Sequence, residues 1–295
     1  FNLKPSTDYE VVLGRDIEGR DGQKLGKDTT IKWRTRAADP SVYLYAPYQV
    51  GTYLAYTPTV AYVNVRNVSR VDFRLYRMPF EDFVLATGEN SWEYWDDYTG
   101  KRQNLVRQWS LDVSPELNSN LVYGTNLAGE KGARLQPGLY YLEAEVPLEA
   151  VYPEAQGYGW LDTQRQIFAV SNVNLSFKTT STDAVVWSTD LRTGQVVPDL
   201  PIRIFDSAGG LLDKGRTGAD GVFVGERHKP LDAWSTVYAV VGDPDQPDAN
   251  FAIATNQWND GISPWEFNVP VEDYFQPVTG YFFTDRSIYR PGQTV

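Results

Sequence analysis

The stretch "VDFRLY", residues 71–76, alternates apolar and polar side chains with a period of two. In an extended strand that spacing sends Val71, Phe73 and Leu75 to one face and Asp72, Arg74 and Tyr76 to the other. A strand with one face in a core and one toward water is predicted. "PGLYYLEAEV" (137–146) repeats the pattern after a Pro-Gly turn, with Tyr140, Leu142, Ala144 and Val146 inward. "VNLSF" (173–177) does the same with Val173, Leu175 and Phe177.

Similar short runs occur at 42–46, 59–65, 166–170, 184–188, 236–241 and 250–254, separated by Gly, Pro, Asn and Asp clusters. Strands at that spacing signal antiparallel β-sandwiches rather than α/β units. The one helical pattern is "PFEDFVLA" (79–86), where Pro79 suits a first turn and Phe80, Phe83 and Val84 share a face. Composition agrees: nine Trp, 19 Tyr and 13 Phe stand against one Met and no Cys in 295 residues, and sheets favour aromatic and β-branched residues. The fold class expected is all-β, in two or three domains.

Charge and composition exclude several functions. With 27 Lys+Arg against 38 Asp+Glu the net charge is −11, so nucleic acid meets repulsion and no nucleic-acid partner is expected. No apolar run approaches the ~20 residues of a membrane-spanning helix. Without Cys there is no disulfide, zinc-thiolate site or cysteine nucleophile.

Three boundaries are predicted: "RTRAADP" (34–40), the handover near Ser171, and the proline-bearing stretch 258–280. Segment 1–37 is too short to hold a core alone. In "DLRTGQVVPDLPIRIFDSAGGLLDKGRTGADGVF" (190–223) the turns fall at Thr193-Gly194, Gly209-Gly210 and Asp220-Gly221. Ile202, Ile204, Leu212, Val222 and Val224 are the expected core contacts.

"YFFTDRSIYRPGQTV" (281–295) runs from an apolar strand into an Arg-Pro-Gly turn. Pro291 presets φ, Gly292 takes the positive φ of a type II turn, Ile288 and Tyr289 precede them, and Asp285, Arg286 and Arg290 are placed to pair across the strand. This motif resembles the strand that opens a macroglobulin-type domain in the alpha-2-macroglobulin family, its bacterial members especially. Residues 190–223 resemble the strand-turn-strand core of macroglobulin and prealbumin-like sandwiches. Residues 3–36 resemble the second half of a bacterial Ig-like domain. The resemblance implies tandem macroglobulin and Ig-like β-sandwiches: 1–37 the end of an Ig-like domain, 38–170 a macroglobulin-like sandwich, 171–277 a second with its linker, and 278–295 the first strand of a third. The chain is expected to be a fragment from the N-terminal half of a longer protein.

Members of that family trap proteases: a bait segment is cleaved, the domains rearrange, and in many members a Cys-x-Glu-Gln thioester reacts with the attacker. Neither thioester nor recognisable bait lies in this sequence. The resemblance therefore implies a non-catalytic scaffold with no cofactor, whose partners are neighbouring domains of its own chain and, through other parts of a longer protein, proteases. It also implies a periplasmic or cell-surface setting.

The remaining chemistry-bearing residues have bland alternatives. His228, the single histidine, lacks partners for a triad or a multi-histidine metal site and reads as a solvated loop residue. Asp243, Asp245 and Asp248 in "DPDQPDAN" are oxygen ligands of the kind calcium prefers, without EF-hand spacing. "NSWEYWDDYTGKRQNLVRQW" (90–109) gathers Trp92, Tyr94, Trp95, Tyr98 and Trp109 with Glu93, Asp96 and Asp97. Such a set suits a glycan cleft or, with paired carboxylates, a glycosidase; the plainer reading is a loop packing its aromatics on a sandwich edge.

Overall fold

The computed structural model describes residues 2–46, 50–88, 91–157, 161–180, 182–226, 235–258 and 280; the side chains of Trp92 and Asp96 also lie outside the description. Strand follows strand. β1 (Asp8–Leu13) and β2 (Thr29–Arg34) form an antiparallel hairpin. Its register places Tyr9 opposite Trp33 and Val11 opposite Ile31 on one face. On the other face Asp8 pairs with Arg34 and Glu10 with Lys32. Val11, Ile31 and Trp33 are exposed.

The next strands are β3 (Ser41–Tyr45), β4 (Gly51–Leu54), β5 (Val60–Arg66) and β6 (Arg70–Arg77), followed by helices α1 (Phe80–Thr87) and α2 (Ser91–Asp97). Then come β7 (Leu105–Asp112), β8 (Leu121–Asn126), β9 (Gly138–Glu145) and β10 (Gln164–Ser171). A three-stranded sheet, β3-β5-β8, lies over a five-stranded one, β4-β10-β9-β6-β7. Every pairing is antiparallel except β4 with β10. Val42, Val63 and Val65 from one sheet meet Phe73, Leu75, Leu142 and Phe168 from the other in the first core.

A single residue, Asn172, separates β10 from β11 (Val173–Thr179). β12 (Asp183–Asp190), β13 (Pro201–Phe205), β14 (Leu211–Arg216), β15 (Val222–Glu226), β16 (Tyr238–Val241) and β17 (Ile253–Thr255) complete the second sandwich. Its sheets are β11-β12-β15 and β14-β13-β16-β17. Val173, Leu175, Phe177, Val186, Ile202, Ile204 and Phe223 fill the core between them.

The alternation at 71–76 and 137–146 gives the first core's inner faces, as expected. The opposite faces depart from expectation. Tyr76, Leu139 and Tyr141 are buried too, in one cluster with Phe80, Phe83 and Val84 of α1 and with Phe205, Tyr238, Val240 and Ile253 of the second sandwich. The middle of the five-stranded sheet is therefore covered on both sides, and in β9 every residue but Glu145 is buried.

Two further corrections follow from local geometry. Val222 and Val224 do not enter the second core. Phe223 does, at 7 % exposure, while Val224 is 64 % exposed. Gly221 at φ 75° closes the preceding turn with a hydrogen bond from its N–H to the Gly218 carbonyl. The ring of Phe223 then fills space that a Cβ at Gly215 would invade at 2.4 Å. One residue of slip exchanges the faces of a strand. Residues 91–97, expected as irregular loop, form α2, and Trp109 lies in β7, its ring stacked on Phe73 at 5.1 Å.

Candidate functional site

The aromatic-acidic segment is assembled at the seam between the sandwiches. α1 begins after Pro79 and carries Glu81 and Asp82 in its first turn, where carboxylates suit the helix dipole. Phe80, Phe83 and Val84 fall on its buried side. α2 crosses next to it. The rings of Tyr94 and Tyr98 stack at 5.2 Å, and Tyr98 meets Tyr141 edge-on at 4.8 Å. Trp95 meets Tyr141 edge-on at 5.9 Å, and its carbonyl accepts from Arg165 Nη1 at 2.8 Å.

Beneath them is a buried carboxylate the sequence does not advertise. Asp82 accepts from Tyr94 Oη at 3.0 Å, Tyr98 Oη at 3.3 Å and Lys101 Nζ at 2.9 Å. Burial first, and the Asp82 carboxylate beside them, push both phenols above the ordinary tyrosine range. They stay protonated and donate. A second buried acid, Glu143 on β9, accepts from Arg74 Nε at 2.8 Å, and that hydrogen bond is the main cause raising the guanidinium's pKa. Buried charges held this way are structural when each has a partner.

Of the carboxylates in the quoted segment, Glu93 and Asp97 are exposed. A cleft of about 420 Å³ opens beside α2, lined by Ser91, Trp95, Arg165, Gln166, Thr255 and Trp258. Its described lining carries no carboxylate, so the acid pair of a glycosidase is not assembled in it. Tyr98 is buried; Tyr94 and Trp95 are half-buried against the seam.

The acidic loop is used differently from a calcium site. Asp245 Oδ1 accepts from the backbone N–H of Phe80 at 3.0 Å, and Asp243 lies 3.7 Å from Arg203. Asp248 Oδ1 accepts from the Asn250 N–H. Among the described residues no group of three or more His, Cys, Asp or Glu is placed to hold a metal ion. His228 and the strand motif Asp285, Arg286, Tyr289, Arg290, Pro291 and Gly292 lie outside the described residues. So do most of residues 258–280.

The family likeness centres on the second sandwich. Residues 170–274 match the family model described as the bacterial alpha-2-macroglobulin MG3 domain. That stretch is similar to a bacterial alpha-2-macroglobulin domain. No curated protein sequence matches the chain. Among solved structures, the chain is similar to native alpha-2-macroglobulin from Escherichia coli spanning domains MG0-NIE-MG1, with 17 % identity and a TM-score of 0.52, covering 86 % of this chain and 76 % of that one. It is similar also to a Salmonella alpha-2-macroglobulin mutant, with 16 % identity and a TM-score of 0.57, covering 88 % of this chain. Salmonella alpha-2-macroglobulin reacted with methylamine gives 16 % identity and a TM-score of 0.56 over 86 %. The aligned stretch spans 14 % of the length of each Salmonella chain. These likenesses extend the macroglobulin-like fold beyond the matched domain to most of the chain.

Proposed function

We propose that this chain is a non-catalytic scaffold segment of a bacterial alpha-2-macroglobulin-like protease inhibitor, without bait or thioester of its own. The observation that carries this reading is the macroglobulin family match over residues 170–274. The buried acids support it, because Asp82 and Glu143 serve packed helices and strands rather than an open cleft. In this reading 1–37 ends an Ig-like domain, 38–170 and 171–277 are successive sandwiches, and 278–295 opens the next. Its partners are neighbouring domains of the same chain and, through other parts of a longer protein, proteases. The setting is periplasmic or at the cell surface.

The test is an inhibition assay of the chain alone against trypsin- and chymotrypsin-type proteases acting on a protein substrate. No inhibition is expected. Stoichiometric inhibition would reveal a bait or plug within these residues and overturn the scaffold reading. The same preparation answers the alternative glycan reading: saturable sugar binding lost in Trp95→Ala would replace the scaffold with a glycan-binding module.

A further inference from the structure

Between the sandwiches lies a third apolar core, and its composition is unusual for a joint. Among the described residues 16 buried side chains make it, against 14 in the second sandwich's own core. Eight of the 16 are aromatic: Tyr76, Phe80, Phe83, Tyr98, Tyr141, Phe205, Tyr238 and Phe251. The second sandwich's own core has two, Phe177 and Phe223. Domains in one chain move relative to each other by default unless their interface is large and apolar. Here the apolar seam rivals a domain core.

Polar ties pin the seam at separated places. At one end the chain crosses through Asn172 alone, and beside it Tyr56 Oη donates to Asp190 Oδ2 at 2.5 Å. Ser171 Oγ donates to the Phe251 carbonyl at 2.6 Å. Along α1, Thr87 Oγ1 and Tyr238 Oη share a hydrogen bond at 2.9 Å. Asp245 caps α1 at its start. The same loop seats Pro247 against Gly138, whose missing Cβ would lie 3.1 Å from Pro247 Cγ. A one-residue connection by itself leaves a pivot; ties on more than one side of α1 remove it.

We infer that α1, held by the 243–248 loop, clasps the described parts of the two sandwiches into one rigid block, so that any rearrangement of a longer array pivots outside them. The inference rests on packing alone and stands whether or not the longer protein traps proteases.

The chain has no Cys, so a spin-label pair is introduced cleanly by Tyr43→Cys and Val224→Cys, both exposed on outer sheet faces. The distance distribution between the labels is then measured by pulsed electron resonance. A single narrow peak is expected in this background, with marked broadening on adding Phe83→Ala and a smaller broadening on adding Asp245→Ala. Circular dichroism confirms that both variants retain their strands. Because Phe83→Ala removes a core ring, Asp245→Asn serves as the second control and is expected to keep the narrow peak. A broad distribution in the parent background would overturn the inference. So would a peak that stays narrow in both the Phe83→Ala and Asp245→Ala variants.

Discussion

The backbone N–H of Phe80 donates to Asp245 Oδ1 at 3.0 Å, across 165 residues of sequence. Pro79, at the position where a helix normally finds its own cap, supplies no side-chain acceptor. The cap comes instead from the other sandwich, so the start of α1 and the docking of the 243–248 loop stabilise each other.

Asp245→Ala is therefore expected to destabilise the fold by about 1 kcal/mol, the usual cost of losing a helix cap. Asp245→Asn keeps an acceptor oxygen and is expected to lose little. Denaturant midpoints at constant slope check this; equal midpoints for Asp245→Ala and the parent would show that the cap contributes nothing.

The register of β15 gives a sharper contrast. Phe223→Ala empties a ring from the second core, and a cost of about 3–5 kcal/mol is expected. Val224→Ser, one position on and exposed, is expected to stay within about 0.5 kcal/mol. Thermal unfolding of the two variants decides; the reverse order would restore the register in which Val222 and Val224 face inward.

At low pH the Tyr56–Asp190 tie weakens. The Tyr56 hydroxyl first, and the N–H of Thr193 next, hold Asp190 down at about 2. A carboxylate depressed in the folded state contributes stability above its unfolded value of about 4, and that contribution fades as pH falls toward 2. Tyr56→Phe removes the larger cause, so the Asp190 carboxyl resonance should titrate at a higher pH than in the parent. An unchanged midpoint would mean that the hydroxyl is not its partner.

The alkaline side is governed by buried phenols. Burial pushes Tyr140 up to about 12. A phenol raised in this way contributes stability that is whole below its unfolded value of about 10 and is lost as pH climbs toward 12. Tyrosinate absorbance followed against pH should show an exposed class ionising near pH 10 and a second class rising only as the fold opens. Ionisation of every tyrosine in one early step would contradict the burial of Tyr140 and Tyr141.

Much of the architecture is legible along the chain because alternation is a local signal. Val71, Phe73, Leu75, Tyr140, Leu142 and Ala144 identify themselves as inward by spacing alone, and "PFEDFVLA" identifies α1. Tyr76, Leu139 and Tyr141 do not, since what covers them is a helix and a second sandwich whose docking leaves no periodic trace. α2 is obscured for another reason: Trp and Tyr are middling helix formers, and the packing of Trp95 and Tyr98 on Tyr141 is a tertiary contact. Asp82 reads as an ordinary first-turn acid, and only its position beneath Tyr94, Tyr98 and Lys101 makes it a buried one.

Native-state amide hydrogen exchange, read at Leu142 in β9 and Ile204 in β13, tests the central claim that the seam joins the two sandwiches into one unit. If the seam binds them into a single unit, both amides should exchange through the same opening, with the same free energy and the same dependence on denaturant. Exchange at Ile204 through a separate, lower-energy opening while Leu142 stays protected would contradict it, and would make the seam a contact between two independent domains.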